Sequence, residues 1–261
     1  MLTVHQSREI AVAAESIHYE GDNQTEDRWA RFRPPEDGWT AQDLDRIPDL
    51  PPHTELIDGI LYLPFRLGEG DEDDPWALAR PPEGGWTAAE MDRIPDLPPH
   101  TELIDGSLVF VSPQKVFHLL VLDILAIHLR QFAPAGFRVR REQAILLGEH
   151  RRPEPDLFVI RQDGTPDLDQ TTFLPAQVKL VIEVESPESE ARDRNTKPLL
   201  YADAGIAHFW RVENQSGVAV VFAYELDAKA KAYRLTGEHR GQFKVAEPFP
   251  IEVDLTEIHR L

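Results

Sequence analysis

The chain has 261 residues, 41% of them apolar, which is enough for one sizeable domain and an extension. It holds no cysteine, so disulfides, thiolate zinc sites and cysteine nucleophiles are excluded. The formal charge of −19 argues against non-specific nucleic-acid binding by the chain as a whole, and no apolar run approaches the roughly 18 residues that a membrane helix needs.

The opening MLTVHQSREIAVAAESIHYEGDNQ has no basic segment followed by an apolar one. It does not read as a signal peptide, and a cytoplasmic address with no membrane partner is expected. The charge is uneven: residues 1–79 hold 18 acids and 6 bases, residues 80–261 hold 28 and 21. An internal duplication dominates this half. RPPEDGWTAQDLDRIPDLPPHTELIDGILYL (33–63) and RPPEGGWTAAEMDRIPDLPPHTELIDGSLVF (80–110) agree at 24 of 31 positions. Solenoids stack more units than two, so this reads as a local tandem duplication with the second copy integrated into the domain. The acidic GEGDEDDPWALA between the copies reads as a linker. The expected division is therefore an acidic extension, residues 1–79, partly disordered and carrying the first copy, and a domain over residues 80–261.

Within each copy, Thr40 or Thr87 is placed to cap a short helix that Pro-Asp-Leu-Pro-Pro ends. ELIDG then predicts a hairpin turning at Asp105-Gly106 in the second copy. Beyond it, Lys115–Phe132 has helical spacing (Val116, Leu119, Leu120, Leu122, Leu125, Leu129). Gly136–Leu147 alternates as a strand. Asp156–Arg161 and Val178–Val184 are short β-branched strands. Ser189–Asp203 is a charged helix stopped by Gly205, and His208–Val212, Val218–Tyr224 and Ala232–Leu235 are further strands. This order predicts an α/β fold with a central mixed sheet.

Two carboxylates stand out. Asp156 begins one apolar strand and Glu183 lies within another, flanked by Val181, Ile182 and Val184. Buried acids need partners. If the strands are neighbours, both acids reach one pocket, where converging oxygens suit a hard divalent cation such as magnesium. Lys197, on the following helix, would stabilise negative charge developing on a phosphate. The plainer alternatives are a turn acid after Pro155, an exposed strand acid and a solvated helix lysine.

These residues carry a resemblance. ELIDGSLVFVSPQ, His118, PEPD and VIEVESPESEARDRNTKPLLYADAGIAHFWRVE together resemble the PD-(D/E)XK, or restriction-endonuclease-like, superfamily, and within it a bacterial restriction endonuclease family of unknown biological role. The resemblance spans roughly residues 84–255. It implies a restriction-endonuclease-like core, a central mixed β-sheet flanked by helices, here with an N-terminal extension. It implies a metal-dependent endonuclease acting on DNA, with Mg2+ or Mn2+ as cofactor and a homodimer as the working form. Carried over, Asp156 and Glu183 are the metal-binding acids and Lys197 the catalytic lysine. The superfamily's lysine normally stands two residues after the second acid, where this chain has Glu185.

Glu185 either shares the pocket face with Glu183 or lies in water beyond the strand end. Glu102, in the ELIDG hairpin, either completes the acid cluster or belongs to strand pairing. His118 is a helix-packing histidine or a residue of the pocket edge, and Asp193 is a surface or helix-pairing residue or, one turn before Lys197, one that orients it. Arg138, Arg140 and Arg141 are a candidate phosphate-contacting patch or a charged guard on an edge strand. A rival reading follows from the missing strand lysine, Glu185 and the net acidity: a non-catalytic binding module that retains the nuclease fold.

Overall fold

The computed structural model describes residues 29–51, 53–64, 76–162, 164–165 and 167–261. The extreme N-terminus and most of the expected linker fall outside the described residues. Both repeat copies form the same local unit. The first holds helix α1 (Ala41–Leu44) and the hairpin strands β1 (Glu55–Ile57) and β2 (Ile60–Tyr62). The second holds α2 (Ala88–Met91), β3 (Glu102–Ile104) and β4 (Ser107–Val109). Thr87 caps α2: its Oγ1 accepts the Glu90 amide at 3.2 Å, and its own N–H donates to the Glu90 carboxylate at 2.9 Å, a capping box. The hairpin turns carry positive φ at both central residues, 49° and 74° for Asp58-Gly59 and 45° and 82° for Asp105-Gly106, which is why the sequence is Asp-Gly.

The domain continues with α3 (Val116–Phe132), β5 (Phe137–Arg141), β6 (Ala144–Ile145), β7 (Leu157–Arg161), β8 (Thr172–Phe173) and β9 (Val178–Val184). A π-helical turn, Arg192–Thr196, leads into α4 (Lys197–Asp203). Then come β10 (His208–Gln215), β11 (Val218–Asp227), β12 (Ala232–Arg240), β13 (Gln242–Val245) and β14 (Ile251–Asp254). Six strands form the central mixed sheet in the order β12-β11-β10-β9-β7-β5, with β9 and β10 parallel and every other pair antiparallel. The helical segment ending in α4 makes the crossover that the parallel pair requires.

Strand pleating sorts the apolar residues onto two faces. Leu157, Val159, Leu180, Ile182 and Val184 pack with Leu122, Leu125 and Leu129 of α3 and with the β13–β14 hairpin. Phe158, Ile160 and Val181 face the other way, onto Tyr201, Ile206 and Phe209. β7 and β9 are thus covered on both faces, so they read as continuous apolar runs rather than alternating ones. Two expected elements differ from the sequence reading. The strand expected over Gly136–Leu147 breaks at Glu142, whose φ is +48°, and β6 pairs instead with β8. The helix expected over Ser189–Asp203 is interrupted by the π-turn.

The first copy and the segments that flank it pack on the second. Trp29, Phe32, Trp76 and Ala79 form a buried cluster against Phe110, and Ile60 joins Ile104, Val109 and Leu200.

Candidate active site

β7 and β9 pair antiparallel, with Leu157 opposite Ile182. One residue further along, Asp156 and Glu183 come side by side at one end of the pair. Glu183 has the same parity as Val181, so its side chain faces α4, where the next helical turns bring Lys197 and Tyr201. The second hairpin approaches from the same side and contributes Glu102. Asp156, Glu183, Lys197 and Glu102 line a cavity of about 440 Å³ together with His118, Glu154 and Asp193, and Tyr201 stands behind Glu183.

Lys197 is the centre of this cluster. Its Nζ lies 3.2 Å from Glu102 Oε1, 3.2 Å from Glu183 Oε2 and 3.4 Å from Asp193 Oδ1. Tyr201 donates its hydroxyl to Glu183 Oε1 at 2.6 Å, and the Glu154 N–H donates to Glu102 Oε1 at 2.8 Å. Lys197, Glu183, Glu102 and Asp193 are all buried. Burial opposes the charge on Lys197, but the carboxylates of Glu102, Glu183, Asp193 and Asp156 outweigh it and hold the ammonium well above its ordinary pKa. Burial pushes Glu183 well above the usual carboxylate range; Lys197 pulls it back, and Asp193, Asp156 and Glu102 push it further up.

Asp156 behaves oppositely. Its Oδ2 accepts the Val184 N–H at 2.7 Å, and its Oδ1 lies 3.2 Å from His118 Nε2. His118 spans the gap, its Nδ1 lying 3.1 Å from the Val184 carbonyl oxygen. Burial would raise the Asp156 pKa, but His118, Lys197 and the Val184 N–H outweigh burial and keep it below its ordinary value. Burial likewise opposes protonation of His118, and Asp156, Asp193 and the Val184 carbonyl outweigh it, so the imidazole pKa is raised. The Nε2 contact with Asp156 is close enough for an ion pair but is not an aligned hydrogen bond. Two neighbouring carboxylates are therefore pushed apart in pKa, the usual setting for a division of roles between acids.

Residues 88–256 match the model of the Uma2 family, described as "Putative restriction endonuclease". The chain belongs to the Uma2 family. The match starts within the second repeat copy, so the first copy lies outside it. No curated protein matches the chain at a significant level. Among solved structures, this Uma2 chain is similar to a putative nuclease belonging to DUF820 from Anabaena variabilis ATCC 29413, at 17% identity and a TM-score of 0.52. That likeness covers 67% of this chain and 97% of the other, and it shows a shared fold. The Uma2 fold is thus restriction-endonuclease-like: a mixed six-stranded sheet between α3 and α4.

Of the residues singled out in the sequence, the structure brings Asp156, Glu183, Lys197, Glu102 and His118 to one cavity. Glu185 does not line it. Arg194 donates to both Glu185 oxygens, at 2.8 and 2.9 Å, and Arg211 lies 3.0 Å away. Arg138, Arg140 and Arg141 are also elsewhere, on edge strand β5. Arg141 pairs with Asp123 at 2.7 Å, Arg140 donates to Gln162 at 2.8 Å, and Arg138 donates to the Phe137 carbonyl. Tyr201 both packs against Phe209 and binds Glu183. Its position four residues after Lys197 was the available signal. The buried Arg192–Glu188 ion pair in the cavity wall was not foreseen, and an i, i+4 pair in a charged segment carries no mark of burial.

No helix among the described residues is long and apolar enough to cross a membrane. No group of three His, Cys, Asp or Glu among them is preformed at metal-ligand spacing. The donor chemistry nevertheless fits a hard cation. The acids offer oxygen only, and Glu102 Oε2 is buried without a hydrogen-bond partner among the described residues.

Proposed function

We propose that this cavity is the active site of a metal-dependent endonuclease that hydrolyses DNA phosphodiester bonds. The observation that carries the reading is the Lys197 ammonium, buried within 3.2 Å of Glu183 beside the ionised Asp156 in one cavity. It joins the family match and the nuclease fold. Magnesium or manganese bound by Asp156 and Glu183 would polarise the phosphodiester and activate a water. Lys197 stabilises the negative charge that develops on the phosphate. His118 holds Asp156 against the end of β9, and Tyr201 fixes the rotamer of Glu183. Seven carboxylates line the cavity against three permanent cations, so a polyanion needs added positive charge to enter. That imbalance favours a divalent ion as co-substrate of binding. A homodimer, one copy per DNA strand, is part of this reading.

The test is magnesium and manganese calorimetry on the wild type and Asp156→Ala, followed by cleavage of plasmid and short duplex DNA. Metal binding and cleavage that both vanish in the variant support the reading. A second reading, a non-catalytic module, is favoured by the absence of a preformed three-ligand group among the described residues. Wild-type protein that neither binds the metal with DNA present nor cuts DNA would decide for it.

A further inference from the structure

The first repeat copy lies outside the family match, yet it reaches the wall of the cavity. Its Asp58-Gly59 turn abuts the π-turn Arg192–Thr196. Thr196 donates its hydroxyl to Asp58 Oδ2 at 2.8 Å. Gly59 has φ of +74°, and a Cβ there would lie 3.1 Å from the Glu188 carbonyl oxygen and 3.2 Å from Arg192 Nη1. Only glycine lets the turn approach that closely. Gly38 of the same copy comes equally near, its ideal Cβ 3.0 Å from Glu188 Cα. The copy itself is anchored to the domain. Ser112 donates to the Pro35 carbonyl at 2.6 Å, Lys115 pairs with Asp37 at 3.1 Å, and Ile60 is buried against Ile104, Val109 and Leu200.

The π-turn, Arg192–Thr196, is the segment that the Asp58-Gly59 turn meets. It is a rare backbone form that departs from α-helical hydrogen bonding and concentrates at functional sites. Here it carries Asp193, and its last residue, Thr196, immediately precedes Lys197. Whatever holds Thr196 sets the direction in which Lys197 leaves the backbone. The second copy has the same Asp-Gly turn, but its Asp105 pairs with Arg151 and its Gly106 packs on Gly85, away from the π-turn.

We propose that the first repeat copy is a positioning element of the cavity: Asp58, through Thr196, and the close approach of Gly59 hold the π-turn and set Lys197 against Glu102 and Glu183. The consequence for catalysis rests on the endonuclease reading. The positioning itself is measurable without substrate.

The experiment compares full-length Asp58→Ala, Asp58→Asn and Thr196→Val with the wild type. Lysine amines are acetylated at pH 8 with an N-hydroxysuccinimide ester and quantified by peptide mass spectrometry. Lys231 and Lys244, with side chains 69% and 75% exposed, serve as internal references. Loss of the Thr196 anchor raises local opening, so Lys197 labelling in Asp58→Ala and Thr196→Val should rise about fivefold or more relative to the references. Asp58→Asn retains an acceptor for the Thr196 hydroxyl and should label like the wild type. Where Asp58→Ala fails to fold, the near-isosteric Thr196→Val decides alone. Unchanged Lys197 labelling in Thr196→Val, or Asp58→Asn matching Asp58→Ala, overturns the proposal. If the wild type cuts no DNA, the endonuclease reading fails while the labelling still decides the positioning role.

Discussion

Replacing Lys197 by methionine keeps most of the side chain's length and apolar stem and removes its charge. In the wild type Lys197 is 5% exposed and its ammonium touches three buried carboxylates, at 3.2, 3.2 and 3.4 Å. Removing one partner of a buried ionic cluster strands the rest, and such losses run to about 3–5 kcal/mol. Against a typical folding stability of ~5–15 kcal/mol that is roughly a fifth or more. For a chain of this size each kcal/mol shifts Tm by about 2–4 °C, so a drop of ~6–20 °C at pH 8 is expected. The deficit must depend on pH. The pKa of Glu183 is already raised in the folded state, and Lys197 is what pulls it back from going higher. A group with a raised folded pKa contributes stability that is present below its unfolded value, near 4.5, and lost as pH rises through the folded one. Lys197 itself, raised from 10.5, contributes fully throughout pH 5–8. The Lys197→Met deficit should therefore be smallest near the unfolded value of 4.5 and grow as pH rises. Denaturant titrations of both proteins at pH 5, 6.5 and 8 measure it. A deficit under about 1 kcal/mol at pH 8 would mean that no stranded charge is left, and a deficit that shrinks as pH rises would refute the carboxylate account.

Two further outcomes follow from the same cluster. Tyr201→Phe removes the hydroxyl that donates to Glu183 at 2.6 Å and leaves a buried oxygen without it, at a cost of about 1–3 kcal/mol in denaturant titration; Tyr201→Trp would fail for reasons of volume and is not a substitute control. His118→Gln should lose more stability at pH 6 than at pH 9. The raised imidazole pKa contributes below the unfolded value of 6.5 and fades as pH climbs through the folded one. Under the endonuclease reading, the same variant should lower the cleavage rate ~10–100-fold, because His118 orients the carboxylate rather than touching the substrate.

The local elements were legible in the sequence because short-range chemistry decides them. Thr87 with Glu90 specifies a capped helix, Asp105-Gly106 specifies a tight hairpin, and the apolar spacing of Val116–Phe132 specifies a helix with one buried stripe. The acids were legible too: a carboxylate among Val181, Ile182 and Val184 is costly without a partner, so its presence points to a site. Glu185 and the arginines of β5 show where such reading stops. Parity along the strand allows Glu185 to share the cavity with Glu183, but Arg194, beyond the next turn, and Arg211, on β10, claim it instead. That β5 is an edge strand depended on the sheet order, and alternation alone does not contain that order.

The duplication draws the line most sharply. The two copies of ELIDG have nearly the same sequence and form the same hairpin, so their local fold was decided by sequence alone. Their roles differ because their neighbours differ. Glu102 is buried beside Lys197 and Glu55 is exposed; Asp105 meets Arg151 and Asp58 meets Thr196. Backbone turn chemistry acts within four residues, whereas the burial of a carboxylate depends on groups brought in from strands and helices far along the chain. That is why the sequence determined two hairpins, and only the tertiary structure decided which one carries an acid beside Lys197 and which one meets the π-turn.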